Sequence, residues 1–196
     1  DCVKDMSSGR VMNRLVQGDV GCGKTAVAAA LMYHTARCGA QSAIMAPTEI
    51  LAEQHFKNLC ESLKNTNINC VLITGSLKKS EKQAAKEMLA NGKAQIAVGT
   101  HALISEDVAF KNLALVITDE QHRFGVLQRA QLADKGIKPH TLVMSATPIP
   151  RTLGLIIYGD LDISIIDEYP KGRQQTENYC VGSALRPRDF NYIKKH

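Results

Sequence analysis

Apolar runs rich in β-branched residues recur along the chain at NRLVQ, QSAIMAP, NCVLITG, AQIAVGT, LALVITD, HTLVMSAT and LDISIID, and longer segments of helical character separate many of them. Within each run, successive rather than alternate positions are apolar, the pattern of strands covered on both faces. This alternation predicts an α/β fold: a mostly parallel sheet with helices on both faces. The helices are expected from Lys24 to about Arg37, closed by Gly39; from Glu49 to about Lys64; from Glu81 to about Ala90, closed by Gly92; and from Val126 to Asp134, ending at Gly136. A further short helix is expected from Arg151 to Tyr158. Ser80, with Gln83 three residues on, has the form of a capping box for the third helix.

From Asp167 the pattern weakens. DEYPKGRQQTEN is polar and carries Pro170 and Gly172, the composition of a linker. YCV and RPRDFNYIKKH after it read as a strand and a helix start. The expected organisation is therefore one lobe over residues 1–166, a linker over 167–178, and the opening of a second lobe over 179–196.

Composition narrows the function classes. The chain has 196 residues, 44% hydrophobic and 22% charged, and no apolar run approaches the roughly 18 residues of a membrane span. It does not begin with Met and opens without a signal-type apolar stretch, so it is expected to be a piece of a longer protein. A net charge of +5 permits a nucleic-acid partner without requiring one. The six cysteines form no C-x-x-C pair and have no His at ligand spacing, which argues against a zinc or redox motif and for reduced thiols in a cytoplasmic protein. Cys22, between two glycines, is expected to be exposed, and Cys70, among apolar neighbours, to lie in the core.

The chemistry concentrates in two places. VQGDVGCGKTAVAAALM has Gly18, four residues (Asp19, Val20, Gly21, Cys22), then Gly23-Lys24-Thr25 and Ala26, after a predicted strand and before a predicted helix. That is the spacing and context of a phosphate-binding loop. Glycines let backbone N–H groups turn inward, the helix N-terminus favours an anion, Lys24 can reach the terminal phosphates, and Thr25 can ligate Mg2+. The bland alternative is a glycine turn capping a helix, with Lys24 solvated. Such a loop lacks the carboxylate that holds Mg2+ from the far side and a base to orient water. Asp119 and Glu120, at the tip of a neighbouring strand, supply both: Asp119 for Mg2+, through a water molecule, and Glu120 for the attacking water. An acidic strand end facing solvent is the alternative there.

DEQH at residues 119–122, after the phosphate loop and before Ser145-Ala146-Thr147, resembles the motif set of superfamily 2 helicases and translocases. Within that group, APTEILAEQH, VGTHALI, DEQHRFGVLQR, ATPIPRTL and DLDISIIDEYPKGR are similar to the RecG family of ATP-dependent DNA helicases, over nearly the whole chain. The transcription-repair coupling translocases share HRFG and TPIPRTL but typically carry DEEH where this chain has Gln121.

The resemblance implies a RecA-like P-loop lobe, the first of two, with ATP and Mg2+ in the cleft between them. It also implies movement on double-stranded DNA and remodelling of branched DNA, such as stalled forks, in recombination and repair. By motif, Lys24, Asp119, Glu120 and His122 would be catalytic. Gln121, Ser145, Ala146 and Thr147 would couple nucleotide state to DNA, with His122 bonding toward Ser145 or Thr147. Pro47, Thr48 and Glu49, then Thr100 and His101, would face the DNA backbone, although Thr48 and Glu49 also suit a helix N-cap and first-turn acid. The lysines of SLKKSEKQAAKE read as a solvated helix face. A RecG-like enzyme further needs a wedge domain, an adenine-binding glutamine motif and arginine fingers from the second lobe. None is found in these residues, so this chain alone is expected to be nearly inactive in hydrolysis. Two rivals are a small P-loop kinase or GTPase, for which the guanine-reading N-K-x-D is absent, and a nucleic-acid-binding module that does not hydrolyse ATP.

Overall fold

The computed structural model describes residues 1–119, 126–147 and 161–168, with Phe190 and Tyr192. In chain order the elements are α1 (Cys2–Met6), β1 (Asn13–Gly18), α2 (Lys24–Arg37), β2 (Gln41–Met45), α3 (Glu49–Leu63), β3 (Cys70–Ile73), α4 (Lys79–Ala90) and β4 (Ile96–Gly99). A 3-10 turn (His101–Ile104), β5 (Leu113–Asp119), α5 (Val126–Ala133), β6 (His140–Ser145) and β7 (Asp162–Ile166) follow. All seven apolar runs become strands, paired in parallel in the order β3-β4-β2-β5-β6-β1-β7.

Both faces of this sheet are buried, as the unbroken apolar runs require. On β2, Ile44 joins one core layer with Leu31 and Met32 of α2 and Leu59 of α3. Ala43 and Met45 join the other, with Leu89 of α4, Leu103 and Leu132. The central strands β2 and β4 are buried throughout, whereas the edge strands β3 and β7 are only partly covered.

The helix ends follow the sequence closely, with two differences. α4 begins at Lys79 behind Lys78 as N-cap, with no side-chain cap, so Ser80 lies inside the helix and no capping box forms. Gln83 instead donates from Nε2 to Glu87 Oε1, one turn on, at 2.9 Å. α1 has no counterpart in the sequence pattern, because none of its residues is fully buried. It is held by partial burial of Cys2 and Met6 against the core and by charge: Arg14 of β1 reaches Asp5 at 2.6 Å and donates to Ser164 Oγ of β7 at 2.8 Å. The expected helix at 151–158 and nearly all of the expected linker and second lobe lie outside the described residues.

At the carboxyl ends of the strands the backbones close in on one another. Ala46 N donates to Gly99 O at 2.8 Å and Thr100 N to Ile73 O at 3.3 Å. A Cβ on Gly99 would stand 2.2 Å from Ile73 O and 2.9 Å from Leu103 Cγ, so only glycine fits between β3 and the 3-10 turn. Gly99→Ala is expected to destabilise the fold by about 1–3 kcal/mol, the usual cost of forcing atoms into a packed interior. Urea unfolding of the two chains checks it.

Candidate functional site

Because every strand of the sheet runs in the same direction, β1, β6, β5, β2, β4 and β3 all deliver their C-terminal residues to one edge. In open α/β sheets, ligands bind at that edge.

The phosphate loop leaves β1 at Gly18 and enters α2 through Gly23, its N-cap. Gly21 and Gly23 have φ of 82° and 102°, the left-handed region that glycine adopts without a steric penalty. Lys24 folds back on its own loop, its Nζ donating to Gly18 O at 2.6 Å and Asp19 O at 2.9 Å. Its ammonium is thereby held at the loop's mouth. Val20 N bonds to Asp19 Oδ1 at 2.7 Å, and Ala26 N to Gly23 O at 2.9 Å. Thr25 is half-buried in the first turn of α2, a turn with no acidic residue to offset its partial positive charge.

Cys22 differs from expectation. It is half-buried rather than exposed, because its thiol folds over Gly18, where a Cβ would stand 2.5 Å from Cys22 Sγ and 3.0 Å from Ile166 O. Cys70 is likewise half-buried, on the edge strand β3, and burial pushes its thiol up to about 12.

Asp119 ends β5. The strand separating it from the phosphate loop is β6, so Asp119 lies two strands from β1 rather than on the adjacent one. Alternation puts Asp119 on the same face as Leu115 and Ile117, which pack in the α2–α3 layer. On α3, Ala52, His55, Leu59 and Leu63 form the buried stripe. The two patterns meet at their polar members: His55 Nε2 lies 2.8 Å from Asp119 Oδ2. The sequence reading gave His55 no role. Glu120, Gln121, His122 and Arg123 lie outside the described residues.

Between these two groups, β6 brings Ser145 to the edge, in register with Gln17, while Met144 is in register with Asp119. Ser145 Oγ and Thr147 Oγ1 are 3.0 Å apart, and Gln17 Nε2 donates to Thr147 O at 3.1 Å, tying the Ser-Ala-Thr turn to the strand that enters the phosphate loop. Gln17, Gly18, Asp19, Ala146, Ile166 and Glu168 line a cleft of about 380 Å³ beside the loop. A larger cavity of about 760 Å³ lies at the opposite end of the sheet, among residues such as Arg37, Gln41, Gln95 and Asn112. The convergent polar groups described above are all on the strand-tip side.

The remaining tips carry the residues expected to face DNA. Thr48 N-caps α3, accepting from Leu51 N at 3.3 Å, as the helix-cap reading foresaw. Glu49, half-buried like Pro47 and Thr48, reaches across to β3's loop and accepts from Ser76 N at 3.1 Å. Hydrogen bonding from Ser76 is the main cause holding its carboxyl below the ordinary 4.5. Thr100 is buried, its hydroxyl unpartnered among the described residues, whereas His101 is exposed. His101 shares a shallow groove with Gly75, Lys82 and Gln131.

A family model for DEAD/DEAH box helicases matches residues 1–156. The chain belongs to the DEAD/DEAH box helicase family. Among its relatives, the ATP-dependent DNA helicase RecG of Bacillus subtilis (strain 168) is 51% identical over 191 residues, covering 97% of this chain and 28% of that protein. RecG of Aquifex aeolicus (strain VF5) is 55% identical over 177 residues, covering 89% of this chain and 22% of the relative. A solved RecG bound to a three-way DNA junction matches with a TM-score of 0.84 and 46% identity, over 97% of this chain and 26% of that one. The chain thus spans about a quarter of the length of these RecG relatives. The S. cerevisiae Dbp5 structure bound to RNA and ADP BeF3, 20% identical with a TM-score of 0.62 over 81% of this chain and 42% of that one, shares the fold. The sheet is that of the RecA-like lobe seen in these helicases.

The Glu49 contact has a pH dependence of definite sign. Its depressed carboxyl stays ionised at neutral pH, so the bond to Ser76 is complete there and is lost as acid protonates the group below 4.5. Following the Ser76 amide resonance from roughly pH 6 to pH 3 should show that loss, and Glu49→Gln should abolish the titration.

Proposed function

We propose that this chain is the ATP-binding motor lobe of a RecG-type DNA helicase, which couples ATP hydrolysis to movement on double-stranded DNA and to the remodelling of branched DNA. The observation that carries this reading is the placement of Lys24 and Asp119 at one edge of one sheet, two strands apart, with the Ser-Ala-Thr turn between them.

In this reading Lys24 exchanges its bonds to the loop carbonyls for phosphate oxygens, and the N–H groups of the loop and of α2's first turn take the remaining charge. The donor set suits Mg2+, a hard cation that keeps several waters: the Thr25 hydroxyl on one side and the Asp119 carboxylate, through water, on the other. Bound there, the ion would neutralise charge on the phosphate oxygens. Glu120 follows Asp119 directly in the chain and is assigned as the base that orients the attacking water. His122 and Gln121 would report the nucleotide's state to Ser145, Ala146 and Thr147, whose turn is fixed to β1 by Gln17.

DNA backbone contact is assigned to the tips of β2 and β4. There Pro47, Thr48, Glu49 and His101 stand at the same edge, and Thr100, with its side chain buried and its N–H bonded to Ile73 O, belongs to the row by holding His101 at the tip of β4. Such contacts position a motor without reading sequence, as a translocase requires. The second lobe with its arginine fingers and the branch-recognising wedge domain are taken to lie in the part of the RecG relatives that this chain does not span. Hydrolysis by this chain alone would accordingly be slow, and a cytoplasmic location is assigned from the cysteine pattern, read as reduced thiols.

Equilibrium binding of a fluorescent Mg-nucleotide tests the reading. Lys24→Ala and Asp119→Ala should each weaken binding by about tenfold or more, since a charge-assisted hydrogen bond contributes about 1.5–3 kcal/mol. Binding indifferent to both substitutions would leave a nucleic-acid-binding module that does not use ATP.

A further inference from the structure

The contact between His55 and Asp119 is not explained by packing. His55 is 6% exposed, on a helix face otherwise made of Ala52, Leu59 and Leu63. A leucine in its place would continue that face without burying polar atoms. The histidine instead buries two ring nitrogens, and only one is satisfied: Nε2 meets Asp119 Oδ2 at 2.8 Å, while Nδ1 has no partner among the described residues. A buried polar atom left unpaired costs about 1–3 kcal/mol, so the fold retains an imidazole here at some expense to its stability.

The chemistry of the pair fixes its polarity. A carboxylate can only accept, so Nε2 carries a proton and donates it to Asp119 Oδ2. One carboxylate oxygen, Oδ2, is then committed to the ring. The carboxylate plane is constrained by a rigid ring on a buried helix face, and the orientation of Oδ1 is constrained with it. Carboxylates that hold metal ions are commonly oriented by such hydrogen bonds, and removing them weakens metal binding.

We propose that His55 is a positioning residue for the metal: by donating Nε2–H to Asp119 Oδ2 it fixes the carboxylate so that its other oxygen is presented to a Mg2+-bound water beside the phosphate loop. The inference rests on the assignment of Asp119 to Mg2+ made above. It also gives α3 a second duty. The helix whose first turn carries Thr48 and Glu49 reaches the nucleotide side of the sheet edge through a buried residue two turns further on.

The test is a Mg2+ titration of fluorescent-nucleotide binding to this chain, beside His55→Ala, His55→Gln and Asp119→Ala, with nucleotide affinity in excess EDTA measured for each. His55→Ala should raise the half-saturating Mg2+ concentration by about tenfold while leaving the metal-free affinity in place. A merely structural histidine would lower both affinities together. His55→Gln, whose amide N–H can replace Nε2–H, should recover most of the shift. It also decides the matter if the alanine variant fails to fold: a glutamine variant with normal Mg2+ dependence supports the donor role, and one shifted as far as Asp119→Ala overturns it. Nitrogen-15 NMR should show the His55 proton on Nε2, and a proton on Nδ1 alone would overturn the proposal. If Asp119→Ala shifts the Mg2+ curve and His55→Ala does not, His55 is structural and the assignment of Asp119 stands. If Asp119→Ala leaves the curve unmoved, that assignment falls, and the role of His55 with it.

Discussion

A parallel sheet buried on both faces can present polar side chains only where its strands stop, because any polar group placed earlier along a strand would be sealed under a helix. In this chain the constraint is strict. β2 and β4 are buried at every residue, and the side chains that carry chemistry are crowded into the residues just beyond the strands. Gly18, Thr48, Thr100, Asp119 and Ser145 all occupy a strand's last position or the residues just after it. The parallel direction puts those ends at the same edge. The phosphate loop, the Asp119 carboxylate and the tips of β2 and β4 are therefore neighbours as a result of burial, before any of them interacts.

The Asp119–His55 pair shows how that edge is organised from beneath. Two periodicities, two residues per repeat on β5 and 3.6 on α3, each carry one polar residue on an otherwise apolar face, and the pair forms where those residues coincide. The Ser-Ala-Thr turn is fixed similarly, by Gln17 from the adjacent strand. In both cases the orienting group comes from a rigid element, so the side chains at the edge are placed by the core rather than by loops.

Much of this was legible in the sequence. The seven strands were, because buried strands are apolar at successive positions, and the phosphate loop was, because its glycines and Lys24 hold a fixed spacing. The order of the strands was not: nothing local in HTLVMSAT says that it inserts between β1 and β5. α1 escaped notice because it is one short turn and a half with no fully buried side chain, and the supposed capping box failed because Ser80 falls one residue inside a helix that starts early. Cys22 was misjudged because flanking glycines suggest openness, yet the same glycines let the loop fold its thiol inward over Gly18. His55 had a signal that could have been read: a single histidine at helical spacing among Ala52, Leu59 and Leu63. Its partner became visible only once α3 was laid over β5.

The position of β1 has a consequence for how the molecule is made. Its neighbours in the sheet are β6 and β7, so bonds such as Met12 N to His140 Nδ1 and Arg14 to Ser164 close loops of 128 and 150 residues. β1 leaves the ribosome among the first elements of this chain and is paired among the last. Contacts this distant in sequence slow folding, and an apolar strand awaiting both partners is open to wrong pairings meanwhile. The phosphate loop, which hangs from the end of β1, is thus one of the earliest parts of the site to be synthesised and one of the latest to be held in place.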